Sequence, residues 1–177
     1  MNNNDLLKIN NIKEYTKVSL SSLTDEEKNL LQNIYAGSKS EFTSISQYSF
    51  QHIIYSNIEE YSKYSKEIEK ISITEMKHFE IIGEILSKVN VIPRICRYID
   101  KNPNICEYWN SACINYSTNY IDIINANIAL EEAGIREYKN LLEITKNENL
   151  KEIIKSILED EYLHLSFFNN MLKNYNK

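Results

Sequence analysis

Apolar residues recur at three- and four-residue intervals along four long stretches of the chain, and this spacing predicts four helices. Thr24-Asp25-Glu26-Glu27 forms a capping box that opens helix A. The pattern carries that helix to about Asn57, with Leu30, Ile34, Ile45 and Tyr48 on its inward stripe. Helix B runs from the low sixties to Val89 on a stripe of Ile68, Ile71, Phe79, Ile82 and Leu86, and stops at Asn90 ahead of Pro93. Residues 90–116 break the period with two prolines and several asparagines, and an extended segment of that length spans the height of a bundle. Helix C follows from about Ser117 to Thr145, with Ile124, Ile128, Ile135, Tyr138 and Leu142 inward. The polar turn Lys146-Asn147-Glu148-Asn149 leads into helix D, whose stripe is Ile154, Ile157, Leu158, Leu165, Phe168 and Leu172. The order hairpin, long crossover, hairpin predicts an all-α four-helix bundle with one long crossover between helices B and C. The bundle domain is expected over residues 23–177, and the polar, weakly patterned residues 1–22 as an N-terminal arm.

Composition narrows the reading. Only 3 Gly and 2 Pro in 177 residues argue against an all-β fold, and the length suits one domain with a substantial core. The net charge of −5 comes from interspersed acids and bases, so no basic patch points to nucleic acid. Cys96, Cys106 and Cys113 lack Cys-x-x-Cys spacing and are odd in number, which fits free thiols in a reducing cytoplasm. The first residues, Met1-Asn2-Asn3-Asn4-Asp5, show no signal-peptide pattern, and no apolar run approaches a membrane span. A soluble, cytoplasmic protein is expected.

The chemistry lies in polar residues that interrupt the apolar stripes. Glu161 and His164 fall inside the stripe of helix D, and Glu75 and His78 repeat the same Glu-x-x-His phrase inside that of helix B. An i, i+3 pair on a helix points to one place, and burying a carboxylate with an imidazole is costly unless something compensates. Both side chains ligate metals, so a metal ion is the economical explanation. A dimetal site in such a bundle takes one further Glu from each remaining helix. On helix C, Glu131 shares the stripe of Ile124, Ile128, Ile135 and Tyr138, whereas Glu132 shares a face with Asn125, Arg136 and Lys139. On helix A, Glu41 is the only acid between Lys28 and Asn57, in line with Ile34, Ile45 and Tyr48. In an antiparallel hairpin, residues equally far from the turn sit level. The midpoint of Glu131 and Glu161 is Lys146, and that of Glu41 and Glu75 is Ile58, both at the expected turns. Tyr48 follows Glu41 by seven residues and Tyr138 follows Glu131 by seven, as in an internal duplication. Both phenols are expected beside the centre, hydrogen-bonded to ligand carboxylates. His52 has no carboxylate at metal spacing and reads as packing or surface.

The order Glu41, Glu75-x-x-His78, Glu131, Glu161-x-x-His164 resembles the ferritin-like dimetal-carboxylate superfamily. Within it, Ala36-Gly37-x-x-Ser40-Glu41 with Gln47-Tyr48, and Glu75-Met76-x-His78-x-Glu80-x-x-Gly83-Glu84, look most like the rubrerythrin and manganese-catalase branch. The resemblance spans roughly residues 24–175. It implies two metal ions, iron or manganese, with Glu75 and Glu161 bridging and Glu41 and Glu131 terminal or bridging. Asp160, directly before Glu161, is a candidate for orienting an imidazole across the pair. The resemblance also implies an oxidoreductase acting on hydrogen peroxide or dioxygen, by reduction or dismutation, and a homo-oligomer of two or more subunits. The alternatives are a ferroxidase or iron-storage protein, and a structural protein with a non-catalytic metal site. Two departures matter. Rubrerythrins carry a rubredoxin module with paired Cys-x-x-Cys, absent here, so a peroxidase needs an external electron donor. They also offer a further Glu one turn after the helix-C ligand, where this chain has Gly134, leaving a more symmetric six-ligand set.

Overall fold

The computed structural model describes residues 23–59, 61–99 and 102–175. The expected N-terminal arm, residues 1–22, lies outside the described residues. The first helix, α1 (Asp25–Ala36), opens at the capping box: Thr24 Oγ1 accepts from Glu27 N at 3.2 Å and Glu27 Oε2 accepts from Thr24 N at 2.6 Å. It ends sooner than the apolar period indicates. Gly37 turns extended after Ala36, its N–H on Asn33 O, and Ser40 caps a new helix, α2 (Glu41–Ser56). Helix A is therefore two helices, because a stop signal and a cap within four residues override the apolar period. A Cβ on Gly37 would stand 2.6 Å from Asn33 Oδ1 and 2.7 Å from Asn33 O, so the chain needs a glycine at that bend.

Helix α3 (Ser62–Lys88) runs back along α2 and closes with Asn90 in the left-handed region at φ 60°, where Val91 N reaches Leu86 O. Helices α4 (Tyr120–Ile144) and α5 (Glu148–Tyr175) form the second hairpin, with Asn119 and Asn147 accepting from the first turns of each. The crossover is not simply extended. It folds into an antiparallel pair, β1 (Cys96–Ile99) and β2 (Asn102–Tyr108), followed by a short turn of 3-10 helix at Ser111–Cys113. Gln32, fully buried on α1, holds the pair by donating to the carbonyls of Arg94 (2.6 Å) and Cys96 (2.8 Å). Trp109 Nε1 donates to Thr43 Oγ1 at 2.9 Å, and Asn115 N to Gln47 Oε1 at 3.0 Å, which pins the rest of the crossover to α2. Among the described residues no helix is long and apolar enough to cross a membrane.

The bundle core divides in two. Leu31, Ile34, Ile82, Leu86, Ile135, Leu141, Ile153 and Ile154 pack toward one end. Tyr55, Ile68, Ile71, Tyr120, Ile123, Ile124 and Phe168 pack toward the other. Several residues expected inward, among them Leu30, Ile45, Phe79, Ile128 and Leu172, lie half-buried at the seam edges. Between the two apolar clusters lies a layer of buried acids, imidazoles and phenols.

Candidate metal centre

The helix break fixes where this layer begins. Because α2 starts at Glu41, that carboxylate occupies the first position of a helix, where the dipole favours negative charge. Glu75 and His78 come from the middle of α3, Glu131 from the middle of α4, and Glu161 and His164 from α5. All six are at most 5% exposed, and the structure brings all six together. Ligand-capable atoms of Glu41, Glu75, His78 and Glu161 form one compact quartet, and those of Glu75, Glu131, Glu161 and His164 a second. Glu75 and Glu161 belong to both. Glu132, by contrast, is exposed, and His52 is bound to Ser65 on the outside of the α2–α3 hairpin.

Distances within the quartets are those of atoms facing a common centre. His78 Nδ1 lies 3.0 Å from Glu161 Oε1, 3.2 Å from Glu75 Oε2 and 3.7 Å from Glu41 Oε2. His164 Nδ1 lies 2.9 Å from Glu75 Oε1 and 3.6 Å from Glu131 Oε2. Ligand atoms about 2.1 Å from one divalent ion and at right angles to each other are separated by about 3 Å. Glu41 Oε2, Glu75 Oε1, Glu131 Oε2, Glu161 Oε1 and His164 Nδ1 all lack a hydrogen-bond partner in spite of this crowding. Unsatisfied acceptors in a dry interior are costly, and here they are collected at one point. The donor set therefore fits two divalent cations: four carboxylates and two imidazoles, hard oxygen with nitrogen, suited to iron or manganese.

The groups behind this set hold it in place. Tyr48 of α2 donates to Glu131 Oε1 on α4, and Tyr138 of α4 donates to Glu41 Oε1 on α2. Each phenol occupies one oxygen of a carboxylate and leaves the other facing inward. Burial, followed by the neighbouring glutamates, pushes both phenols well above their ordinary range, so they remain donors. Asp160 Oδ2 lies 3.4 Å from His78 Nε2, on the far side of the ring from the glutamates that face Nδ1, and so orients the imidazole. Burial and the charge of Glu75 push Glu41 up to about 8, and burial with Glu75 and Glu131 holds Glu161 well above the usual carboxylate range. Burial would raise Glu75 too, but His164 and then His78 hold it below the usual carboxylate range. Burial lowers both imidazoles less than their partners raise them, Asp160 first for His78 and Glu75 first for His164.

A buried amide network beside the centre escaped the sequence reading. Asn127 Oδ1 accepts from Gln47 Nε2 (2.8 Å) and Gln51 Nε2 (2.9 Å), and Asn127 Nδ2 donates to Gln51 Oε1 (2.7 Å), which locks α2 against α4 one turn from Glu131. Its signal was a polar residue inside the stripe of helix C. A narrow cleft lined by Ser40, Ser44, Leu130, Gly134 and Tyr138 leads to Glu41 and Glu161. Gly134 keeps it open, since a Cβ there would lie 3.3 Å from Glu161 Oε2.

The family model for the ferritin-like domain matches residues 25–177. The chain belongs to the ferritin-like family. No curated protein matches this ferritin-like chain by sequence. Among solved structures it is similar to KatB, a manganese catalase from Anabaena PCC7120, with a TM-score of 0.77 at 18% identity over 90% of this chain and 77% of that one. A second structure of wild-type KatB gives a TM-score of 0.75 over the same shares. At that identity the likeness shows the shared fold, and the ferritin-like centre has to be read from its own residues.

Proposed function

We propose that this protein is a dimetal-carboxylate oxidoreductase that reacts with hydrogen peroxide or dioxygen. The observation that carries this reading is the pair of quartets sharing Glu75 and Glu161, with their unpartnered atoms turned to one buried point. Glu41 and His78 would hold one ion, Glu131 and His164 the other, with Glu75 and Glu161 between them. Two such ions supply a reversible two-electron change, one electron each.

The protein's own groups do the rest. Tyr48 and Tyr138 fix the outer carboxylates, and Asp160 fixes the ring of His78. The apolar clusters on either side exclude bulk water, and the cleft beside Gly134 admits only a small molecule. Glu161 lines that cleft beside Gly134, so an entering molecule meets it first. The fold of KatB supports the peroxide reading.

The experiment is to load the purified protein with iron or manganese, count the ions, and follow hydrogen peroxide loss with and without a reductant. Two ions per chain and turnover are expected. Loss without reductant assigns dismutation, and loss only with reductant assigns a peroxidase served by an external donor. No turnover with either metal, together with a mineral-filled assembly of many subunits, would overturn the reading in favour of storage.

A further inference from the structure

The crossover hairpin carries chemistry that the bundle centre does not use. Cys96 pairs with Tyr108 and Tyr98 with Cys106, so the two cysteines stand on one face of the ribbon, a diagonal step apart. The Arg97–Glu107 ion pair takes the other face. The right-handed twist of a two-stranded ribbon shortens one diagonal, which draws two side chains placed like these toward each other. Their surroundings differ. Cys96 is fully buried, and Gln32 clamps its backbone to α1. Cys106 lies on the outer strand, partly open to solvent, with Arg94 Nη1 3.8 Å from its sulfur. An accessible sulfur beside a guanidinium, with a second thiol behind it, is the arrangement of an oxidisable cysteine and its resolving partner.

We propose that Cys106 and Cys96 form a dithiol that hydroperoxides oxidise to a disulfide. The Cys106 sulfur attacks one peroxide oxygen and the O–O bond breaks. Sulfur is oxidised by two electrons, and the departing oxygen leaves with a proton as water or alcohol. The Cys96 sulfur then attacks the sulfenic sulfur of Cys106. An S–S bond forms, the S–O bond breaks, and the hydroxyl leaves as water with the Cys96 proton. Burial, followed by the neighbouring Cys106, pushes the Cys96 thiol up to about 11. The strand pairing shifts between Tyr98 and Ile99, next to the Tyr98–Cys106 pair, and forming the link would draw β2 toward β1 at that irregularity.

The reaction needs no metal and is tested apart from the centre. The metal-free full-length chain is treated with stoichiometric hydrogen peroxide, the remaining thiols are alkylated, and peptides are mapped by mass spectrometry. The expected product is a Cys96–Cys106 link with Cys113 still alkylated, a loss of two hydrogens in intact mass, and full reversal by a reductant. Cys96→Ser should stop at a sulfenic acid on Cys106, trapped by a 1,3-dione, whereas Cys106→Ser should leave no fast reaction. Arg94→Ala should slow Cys106 several-fold and leave Cys113 unaffected. Circular dichroism of each variant checks that the helices are intact. A link to Cys113, equal oxidation of all three thiols, or failure of the folded wild type to form the link would overturn the proposal. A triple Cys→Ser variant should still load metal, which separates this result from the fate of the centre.

Discussion

Tyr48 on the first helical hairpin hydrogen-bonds Glu131 on the second, and Tyr138 returns the bond to Glu41. Each hairpin thus anchors the other's carboxylate. Tyr48→Phe and Tyr138→Phe should keep the fold, at a cost of about 1 kcal/mol each for one buried hydrogen bond. Metal affinity should fall about 10- to 100-fold, as for lost partners of ligand side chains. Competition against a chelator measures this, and unchanged affinity in both variants would remove the phenols from the site.

Glu131 and Glu132 are adjacent, one buried and one exposed. Glu131→Ala should lose at least one ion per chain, and Glu132→Ala should bind metal as the wild type does. Elemental analysis of both variants decides it. The reverse outcome would mean that the face of α4 has been misread.

The metal-free protein should lose stability as pH rises through neutrality. Glu41 at about 8, Glu161, His78 and His164 all hold protons more tightly folded than unfolded. A raised pKa means that the folded state binds more protons, and stability falls with pH by about 1.4 kcal/mol per pH unit for each extra proton. For the glutamates the loss begins near their unfolded value of 4.5, and for the imidazoles near 6.5, continuing up to the raised values. Glu75 is depressed and affects only more acid conditions. Bound metal takes the deprotonated ligands, so the loaded protein should show the opposite trend. Melting temperatures of both forms between pH 5 and pH 8 (roughly this window) test the sign.

Gly134 sits inside α4, where alanine is favoured over glycine by about 0.5–1 kcal/mol. The Cβ meets only the end of a side chain, Glu161 Oε2 at 3.3 Å. Gly134→Ala should therefore raise the melting temperature of the metal-free protein. It should also narrow the cleft and push Glu161, slowing metal uptake in stopped-flow mixing. A variant that is no more stable, or that takes up metal at the wild-type rate, would count against this account of the cleft.

The six gathered side chains were legible because each interrupts an apolar stripe, and a charged residue in a stripe announces itself. The phase of the helix separated Glu131 from Glu132, and the midpoints at Lys146 and Ile58 set the levels. Asn127 was harder to see, since a neutral amide in a stripe carries no sign of its partners, Gln47 and Gln51, far away in sequence. The bend at Gly37 was written locally, as a glycine and then a capping serine, but the apolar period on both sides masked it. The ribbon from Cys96 to Tyr108 was read as extended, and its pairing could not be inferred from so short and polar an alternation. The anchors of the crossover, Gln32 and Thr43, come from helices it never meets in sequence.

The two Glu-x-x-His phrases differ in the residue that precedes them. Asp160 precedes Glu161 and stands against His78, whereas Thr74 precedes Glu75 at the matching place and spends its hydroxyl on the carbonyl of Lys70. A carboxylate behind an imidazole makes that ring the stronger base and the better ligand. On the proposed dimetal reading the two cation positions would be unequal, and filling should proceed in order, the His78 side before the His164 side. A calorimetric titration should resolve two affinities, and Asp160→Asn should bring them together.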